Sequence, residues 1–598
     1  MIDKHGAALV LDEIATLLAI TGGDRFRVRA YRGAATALEK ADGDLAEMLR
    51  SGEIAELRGV GSASLSVIRE LVERGESSMH ARLREKTPLG ILELLEVPGL
   101  GAGRVAKLHE ALGIESLADL EQAARDGRIA GVRGFGPKTQ ATILEGIAQV
   151  RGNAGRRPLH RAEQAARRVL GALLGSEAVE RAELAGELRR RCETVDGVDV
   201  VVAAADDDCA AAVAAMGRLP GVRRAPPADT GAGAVAGAVA GAGAGADEPI
   251  GPPDFEGVLA DGFRVRAWCV TRAAFATTLL YGTGSDTHVR ELESTAARAG
   301  LDLAPDGLRS AGRRRAARDE ERVYRALDLA WVPPELREGM GEVKAAARDR
   351  LPRLIETDDL RGTFHCHTTY SDGKASVVEM ARAARERGWR YLGISDHSKS
   401  AFYAGGLTSE DLARQHAEID AWNERHGDEV RLLKGIEADI LSDGRIDYSD
   451  EPGVLESLDF VIASVHSGFR ADRAAMTKRL IAAVSDPRVR ILGHMTGRLL
   501  LTRKGYEVDV EAVLEAAAAH DVVVEINADP WRLDLAWPHW PLAKRLGVRT
   551  AINPDAHSAS GLGYVEIGIA MARKGWLEPE DVVNTWELER VVDLFSRR

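Results

Sequence analysis

"GTFHCHTTYSDG" (residues 362–373) decides how the C-terminal part of the chain is read. Alternation along a strand puts His365 and His367 on one face. Two neutral imidazole nitrogens together at a strand end suit a single metal ion. Asp372 comes next, in the turn "YSDG". One histidine at a strand end is usually structural, so the reading depends on whether the pattern repeats.

The same signal recurs downstream. "YLGISDH" ends on His397, "GIEADI" carries Glu437, "SVHSG" His466, "LGHMT" His494, and "NPDAHS" both Asp555 and His557. Amphipathic stretches such as "SVVEMARAARERG" separate them. Strands and helices therefore alternate over 361–598, the pattern of a parallel β/α barrel. Six histidines and three carboxylates fall at strand C-termini, the mouth where such barrels build their sites. Nine donors are too many for one ion, and mixed imidazole and carboxylate ligands suit Zn²⁺, Mn²⁺ or Fe²⁺. Clustered divalent ions clamp the attacking and leaving oxygens of phosphoryl transfer, which makes phosphoester hydrolysis the natural reaction.

The N-terminal part is patterned differently. "LRGVGSASLSVI" (57–68), "VPGLGAGRVAKL" (97–108) and "VRGFGPKTQATI" (132–143) each place two glycines before an amphipathic helix. Gly59 and Gly61, Gly99 and Gly101, and Gly134 and Gly136 allow tight turns that leave N–H groups free at a helix start, ready for phosphate. A Gly-x-Gly turn can simply join helices, but three copies at similar spacing indicate helix–hairpin–helix elements gripping nucleic-acid backbone, with Lys138 beside the third. "FRVRAYRGAATALE" (26–39) adds an arginine-studded helix.

Length and composition set the limits. A chain of 598 residues exceeds one core, and roughly three or four domains are expected. The net charge of −13 argues against coating nucleic acid by bulk electrostatics and leaves local basic patches to do so. No apolar run resembles a signal peptide or reaches the roughly 18 residues of a membrane span. Cys192, Cys209, Cys269 and Cys366 show no CxxC spacing, as expected of reduced thiols in a cytoplasmic protein. "VDVVVAA" and "FRVRAWCV" read as strands of a mixed middle region, interrupted by a Gly/Ala-rich insertion at 226–253.

The motifs of 361–598 resemble the polymerase-and-histidinol-phosphatase (PHP) domain, a distorted seven-stranded barrel. The resemblance implies one metal on His365, His367, Glu437 and Asp555, and a second on Asp372, His397 and His557. A third would sit on Glu437, His466 and His494, with Glu437 bridging. Mn²⁺ or Zn²⁺ would be the ions, with His365, His367, Glu437 and Asp555 catalytic. Arg498 in "GHMTGR" reads first as a surface arginine, with a transition-state contact as the alternative. Taken with the hairpins, the middle region and "WVPPELREG", the whole chain resembles a bacterial family X DNA polymerase. The implied architecture is multidomain, α+β and α/β. It comprises an N-terminal helical DNA-binding domain (1–85), a helix–hairpin–helix fingers-like domain (86–155), a nucleotidyltransferase-like palm and thumb (156–309), a connector (310–360) and a PHP (β/α)7 barrel (361–598). The family's C-terminal domain is similar to a Mn²⁺-dependent 3′–5′ exonuclease, with abasic-site endonuclease and 3′-end-cleaning activities in some members.

The palm departs from that family. Aligned on "GELRRRCETVDGVDVVV" (186–202), Glu187 replaces the serine of the phosphate-binding turn, and Gly197 takes the first catalytic Asp position. Asp199 matches the second, while Arg266 falls where the third is needed. Gly282 replaces the aromatic after Tyr281, and Val67 the Schiff-base lysine of the 5′-deoxyribose-phosphate lyase. A bulge at Gly197 could bring Asp196 onto the face of Asp199. Glu187 and Arg266 would still oppose a pair of Mg²⁺ ions. The expected protein is a monomeric repair enzyme. Its hairpins and arginines 189–191 and 313–315 would hold gapped, nicked or 3′-damaged DNA while the PHP centre hydrolyses it. Templated synthesis would be weak or absent. An active gap-filling polymerase, a small-molecule phosphatase and a DNA-binding scaffold are the alternatives.

Overall fold

Seven short parallel strands carry the C-terminal half of the molecule: β1 (Gly362–Thr363), β2 (Tyr391–Ile394), β3 (Arg431–Asp439), β4 (Phe460–Ser464), β5 (Ile491–Leu492), β6 (Val523–Asn527) and β7 (Thr550–Asn553). They are hydrogen-bonded in sequence order, and a parallel bridge between Cys366 and Ala556 joins the last to the first. The Phe460 ring fills the barrel centre, where a Cβ on Gly435 would collide with it; only glycine fits. Phe364, Tyr391, Leu433, Ile491 and Val523 pack around it, with Trp586 and Phe595 of the C-terminal segment in the same cluster. With that end plugged by side chains, chemistry is confined to the other.

This computed structural model describes residues 4–21, 23–41, 45–74, 77–87, 89–91, 93–205, 208–219, 222–224, 250–259 and 262–596. The Gly/Ala-rich insertion lies outside the described residues as far as 249. The chain divides into two units, Met1–Ala154 and Gly155–Arg598. In the first, Gly59, Gly99 and Gly134 take positive φ of 110°, 84° and 96°, a region that disfavours other residues. Gly101 and Gly136 then cap the helices Ala102–Leu112 and Pro137–Asn153, and Gly61 directly precedes Ser62–Arg74. Lys138 lies in the first turn of the third hairpin helix. Val67 is buried in the apolar core of this unit.

In the second unit a five-stranded mixed sheet occupies the segment expected to be the palm. One of its inner strands, Gly197–Ala204, is buried along its whole length. It pairs antiparallel with Val179–Leu184 and parallel with Arg264–Val270. The ladder runs without interruption from Gly197 opposite Arg264 to Ala203 opposite Val270. The bulge that would have rescued Asp196 is therefore absent, because Gly197 is an ordinary ladder residue.

Residues 310–360, read as a connector, are folded. They supply the strand Arg313–Arg315 and the helices Glu320–Ala326 and Glu342–Ala346. Val323, Tyr324, Leu336 and Val343 share one core with Leu280 and Leu292. Beside it Arg337, fully buried, donates to both oxygens of Glu320 at 2.7 and 3.0 Å, and Arg189 does so at 2.8 and 2.8 Å. Arg190 pairs with Glu338 and Arg191 with Glu163. Arginines 189–191 thus hold the palm to its neighbours, and the expectation that they grip DNA is corrected.

Burial alone would raise the Glu320 carboxyl, but Arg337 and Arg189 hold it far below its usual 4.5. Its stabilising contribution is complete above pH 4.5 and declines as acid protonates the folded state. Glu320→Gln should cost about 3–5 kcal/mol by stranding two buried guanidinium groups, and denaturant unfolding measures the loss.

Candidate metal centre

The barrel mouth collects all nine donors. His365 and His367 follow β1, His397 follows β2, and Glu437 lies near the end of β3. His466, His494, and Asp555 with His557 follow β4, β5 and β7 respectively. Parallel strands all point their C-termini to one face. Asp555 and His365, from opposite ends of the domain's sequence, are thereby brought to 3.7 Å.

Glu437 is the hub. Its Oε1 lies 2.9 Å from His494 Nε2, 3.2 Å from His466 Nε2 and 3.4 Å from His365 Nε2. Its Oε2 lies 2.8 Å from His397 Nδ1 and 3.8 Å from His367 Nε2. Asp555 Oδ1 faces His367 Nε2 at 3.2 Å and His365 Nε2 at 3.7 Å. Asp372 Oδ1 faces His557 Nε2 at 3.2 Å and His397 Nε2 at 3.7 Å. The donor atoms form three overlapping groups: His365, His367 and Glu437; His367, Asp372, His397 and His557; and His397, Glu437 and His466. Compared with the sets implied by the resemblance, His367 also joins the Asp372 group, and His397 also joins the Glu437–His466 group.

The donors fit divalent ions. His365 Nε2, both nitrogens of His367, and Glu437 Oε2 are buried and close no hydrogen bond within the protein. Buried polar atoms are rarely left so, since each costs about 1–3 kcal/mol. Several aimed at one point mark a place for cations. Electrostatics agree. Burial disfavours the Glu437 charge, yet His466, His365 and His397 hold its pKa well below the carboxylate range. Burial also opposes charge on His466, but Glu437 and Asp439 lift it to about 10. His367, buried between His397 and His557, drops to about 4 and keeps a nitrogen lone pair to offer an ion. Asp555 sits at φ 50°, a strained conformation for a non-glycine residue and typical of functional positions.

Several supporting residues were not singled out from the sequence. Glu525 on β6 accepts from His365 Nδ1 at 2.7 Å, and Asp439 from His466 Nδ1 at 2.6 Å; each turns the ring's Nε2 lone pair inward. Asn527 donates to Asp555 at 3.1 Å, and Arg532 stands 3.5 Å from the same carboxylate. Asp396 binds Thr368 and Ser371 at the base of the loop carrying Asp372. The acid in "VVEIN" and the second acid of "GIEAD" were the only signals of these partners visible in the sequence. Arg498, read first as a surface arginine with a transition-state contact as the alternative, donates to Glu193 at 2.6 and 3.2 Å and joins the palm to the barrel.

The palm presents the opposite case. Arg266 donates to both oxygens of Asp199, each at 2.8 Å. Arg264 pairs with Asp196 at 2.5 Å, and Arg156 with Glu187 at 2.8 Å. A Cβ on Gly186 would strike the Asp199 carboxylate, so the turn lies directly on it. The residues at Gly197, Asp199 and Arg266 do not fit a pair of Mg²⁺ ions, because the one matching carboxylate is already neutralised by a guanidinium. Among the described residues, no helix is long and apolar enough to cross a membrane.

Two outcomes test the centre. Mn²⁺ or Zn²⁺ at a hundredfold excess over its dissociation constant should stabilise the chelator-treated protein by about 2.7 kcal/mol, read as a rise in melting temperature. Glu525→Gln should weaken ion affinity about 10- to 100-fold in a calorimetric titration, because a neutral amide orients the His365 ring less firmly than the carboxylate.

Comparisons with known proteins cover the whole chain. Family models match for a helix-hairpin-helix domain at 3–77, a SAM-like helix-hairpin-helix tandem at 91–149, a DNA polymerase beta thumb at 278–338 and a PHP domain at 363–529. The thumb match extends past 309, in keeping with the folded segment found there. The barrel region is 31% identical to a probable phosphatase of Caldanaerobacter subterraneus subsp. tengcongensis, over 37% of this chain and 85% of that protein. It is 30% identical to the probable phosphatase YcdX of Shigella dysenteriae serotype 1, over 37% of this chain and 88% of that protein. Over 99% of both chains, the protein is 35% identical to the DNA polymerase/3′-5′ exonuclease PolX of Bacillus subtilis. The chain therefore belongs to the family X DNA polymerases that carry a C-terminal PHP domain.

Proposed function

We propose that this enzyme hydrolyses DNA phosphodiesters at its PHP centre, trimming or cleaning 3′ ends at gaps, nicks or abasic sites, while templated synthesis is weak or absent. The carrying observation is the contrast within one chain: nine convergent donors at the barrel mouth, and Arg266 seated on Asp199 in the palm. The Bacillus subtilis relative is named for both a polymerase and a 3′–5′ exonuclease activity, and the second is the one these residues support.

His365, His367, Glu437 and Asp555 would hold the ion nearest the reacting phosphate, and Asp372, His397, His466, His494 and His557 its neighbours. Divalent Mn²⁺ or Zn²⁺ supplies charge neutralisation for the phosphodiester and lowers the pKa of an attacking water. The protein's part is positional. Glu525 locks the ring of His365, and Asp439 that of His466. Arg532 offsets the charge of Asp555, so an anionic strand can approach an acidic mouth. The glycine turns at Gly59–Gly61, Gly99–Gly101 and Gly134–Gly136, with Lys138, would hold the duplex by its phosphates and position it without reading bases. The protein would act as a cytoplasmic monomer. A small-molecule phosphatase is the second reading, favoured by the probable phosphatases that match the barrel alone.

A labelled gapped duplex incubated with Mn²⁺ should shorten from its 3′ end. His365→Ala or Glu437→Gln should reduce that rate to background, as should chelation. Added dNTPs with Mg²⁺ should give no extension. Robust extension abolished by Asp199→Ala would overturn the palm assignment. Hydrolysis of 4-nitrophenyl phosphate without DNA cleavage would favour the phosphatase reading.

A further inference from the structure

Two large aromatic side chains stand in solvent at the edge of the barrel mouth. Phe402 is 85% exposed and Tyr403 63%, with ring centroids 6.0 Å apart and planes at 78°. Exposed aromatics of this size, adjacent in sequence, forgo the burial that normally stabilises them. The segment presenting them is firmly anchored. Ala401 and Ala404, on either side, are buried, and Ser400 N–H donates to Asp447 at 2.8 Å. A Cβ on Gly406 would collide with the Ser398 carbonyl, which presses the end of the turn against the strand that delivers His397. The rings are therefore displayed by a tight turn that begins a few residues beyond a candidate ligand.

They also border a cleft that leads to the centre. Phe402 and Tyr403 line it together with Asp439, Arg445 and His466, and its volume of about 570 Å³ falls in the range of small-ligand sites. Asp439 and Asp443 line the same cleft beside the rings. A strand entering here meets carboxylates that repel its phosphates, on a protein of net charge −13. Cations at the centre act on the phosphates alone, and a π-face adds affinity for the base itself, since every base can stack and does so with little regard to sequence.

We propose that Phe402 and Tyr403 form a stacking platform for the unpaired nucleobase at or next to the 3′ terminus, which makes the PHP centre selective for single-stranded 3′ ends. This rests on the DNA-hydrolase reading above and specifies the substrate that site takes. The platform holds the base while the phosphodiester on its 3′ or 5′ side lies over the Glu437 cluster. Fully paired ends have no free base to offer and enter poorly.

The test has a binding arm and a hydrolysis arm, each run with the full chain. In the first, a duplex with a short 3′ tail ending in 2-aminopurine is titrated with His365→Ala protein, which carries an intact platform whether or not the centre is active. Stacking should quench the fluorophore, and adding Phe402→Ala and Tyr403→Ala should remove the quenching and weaken binding about tenfold, with the slope of affinity against salt unchanged. Phe402→Trp should retain the quenching. In the second arm, Mn²⁺-dependent cleavage is compared between a normal tail and one ending in an abasic nucleotide. The otherwise wild-type protein should prefer the normal tail about tenfold in kcat/KM, and the double alanine variant should lose the preference. Unchanged melting temperature shows that these exposed positions leave the fold intact. Equal quenching by the aromatic and alanine proteins overturns the platform. Absence of cleavage by the wild type, with quenching retained, overturns the hydrolase reading and leaves the platform standing as a binding site.

Discussion

A carboxylate sealed from solvent, Glu437, is surrounded by imidazoles from four other strand ends, and the C-terminal half of the protein is arranged around it. Neither the acid nor the rings could be buried alone, since an isolated charge inside a protein costs several kcal/mol. Together they form a set whose charges compensate and whose remaining lone pairs point at common positions. The barrel makes this possible. Its parallel strands deliver His365, His397, Glu437, His466 and His494 to one face, and Phe460 with the C-terminal segment closes the other end.

The palm solves the same problem in a different way. A strand built to hold carboxylates beside divalent ions must neutralise them if the ions do not bind. Arg266, Arg264 and Arg156 supply fixed cations to Asp199, Asp196 and Glu187. The sheet keeps its fold and its core, and the palm remains joined to the barrel. Glu193 meets Arg498 there, and the buried Lys574 donates to Glu338 at 2.5 Å and to the carbonyl of Arg190 at 2.9 Å. The arginines that look from the sequence like a DNA-binding run serve this joint. Basic residues become available to nucleic acid only when no nearby acid has claimed them, and that depends on tertiary placement.

Exposure points the same way at the barrel mouth. Most of the charged side chains around the centre are committed to one another, as His466 is to Asp439 and Arg532 to Asp555. Phe402 and Tyr403 meet each other edge to face and otherwise present their rings to solvent. Uncommitted aromatic surface there offers what charged groups do not, a face on which a base can stack.

The sequence by itself determined the order of domains, the strand–helix alternation of the barrel, the glycine turns of the hairpins and the nine donors, because each is written in local spacing and residue type. It also showed that Gly197 and Arg266 occupy positions where acids are needed. Only the tertiary structure decided which donors stand together, since His367 and His397 each belong to two groups at the barrel mouth. It alone revealed Glu525 and Asp439 as orienting partners, excluded the bulge at Gly197, and committed Arg498 and arginines 189–191 to ion pairs within the protein. The physical reason is common to all of these. A side chain's role depends on the charge and space opposite it, and those come from residues far away in the chain.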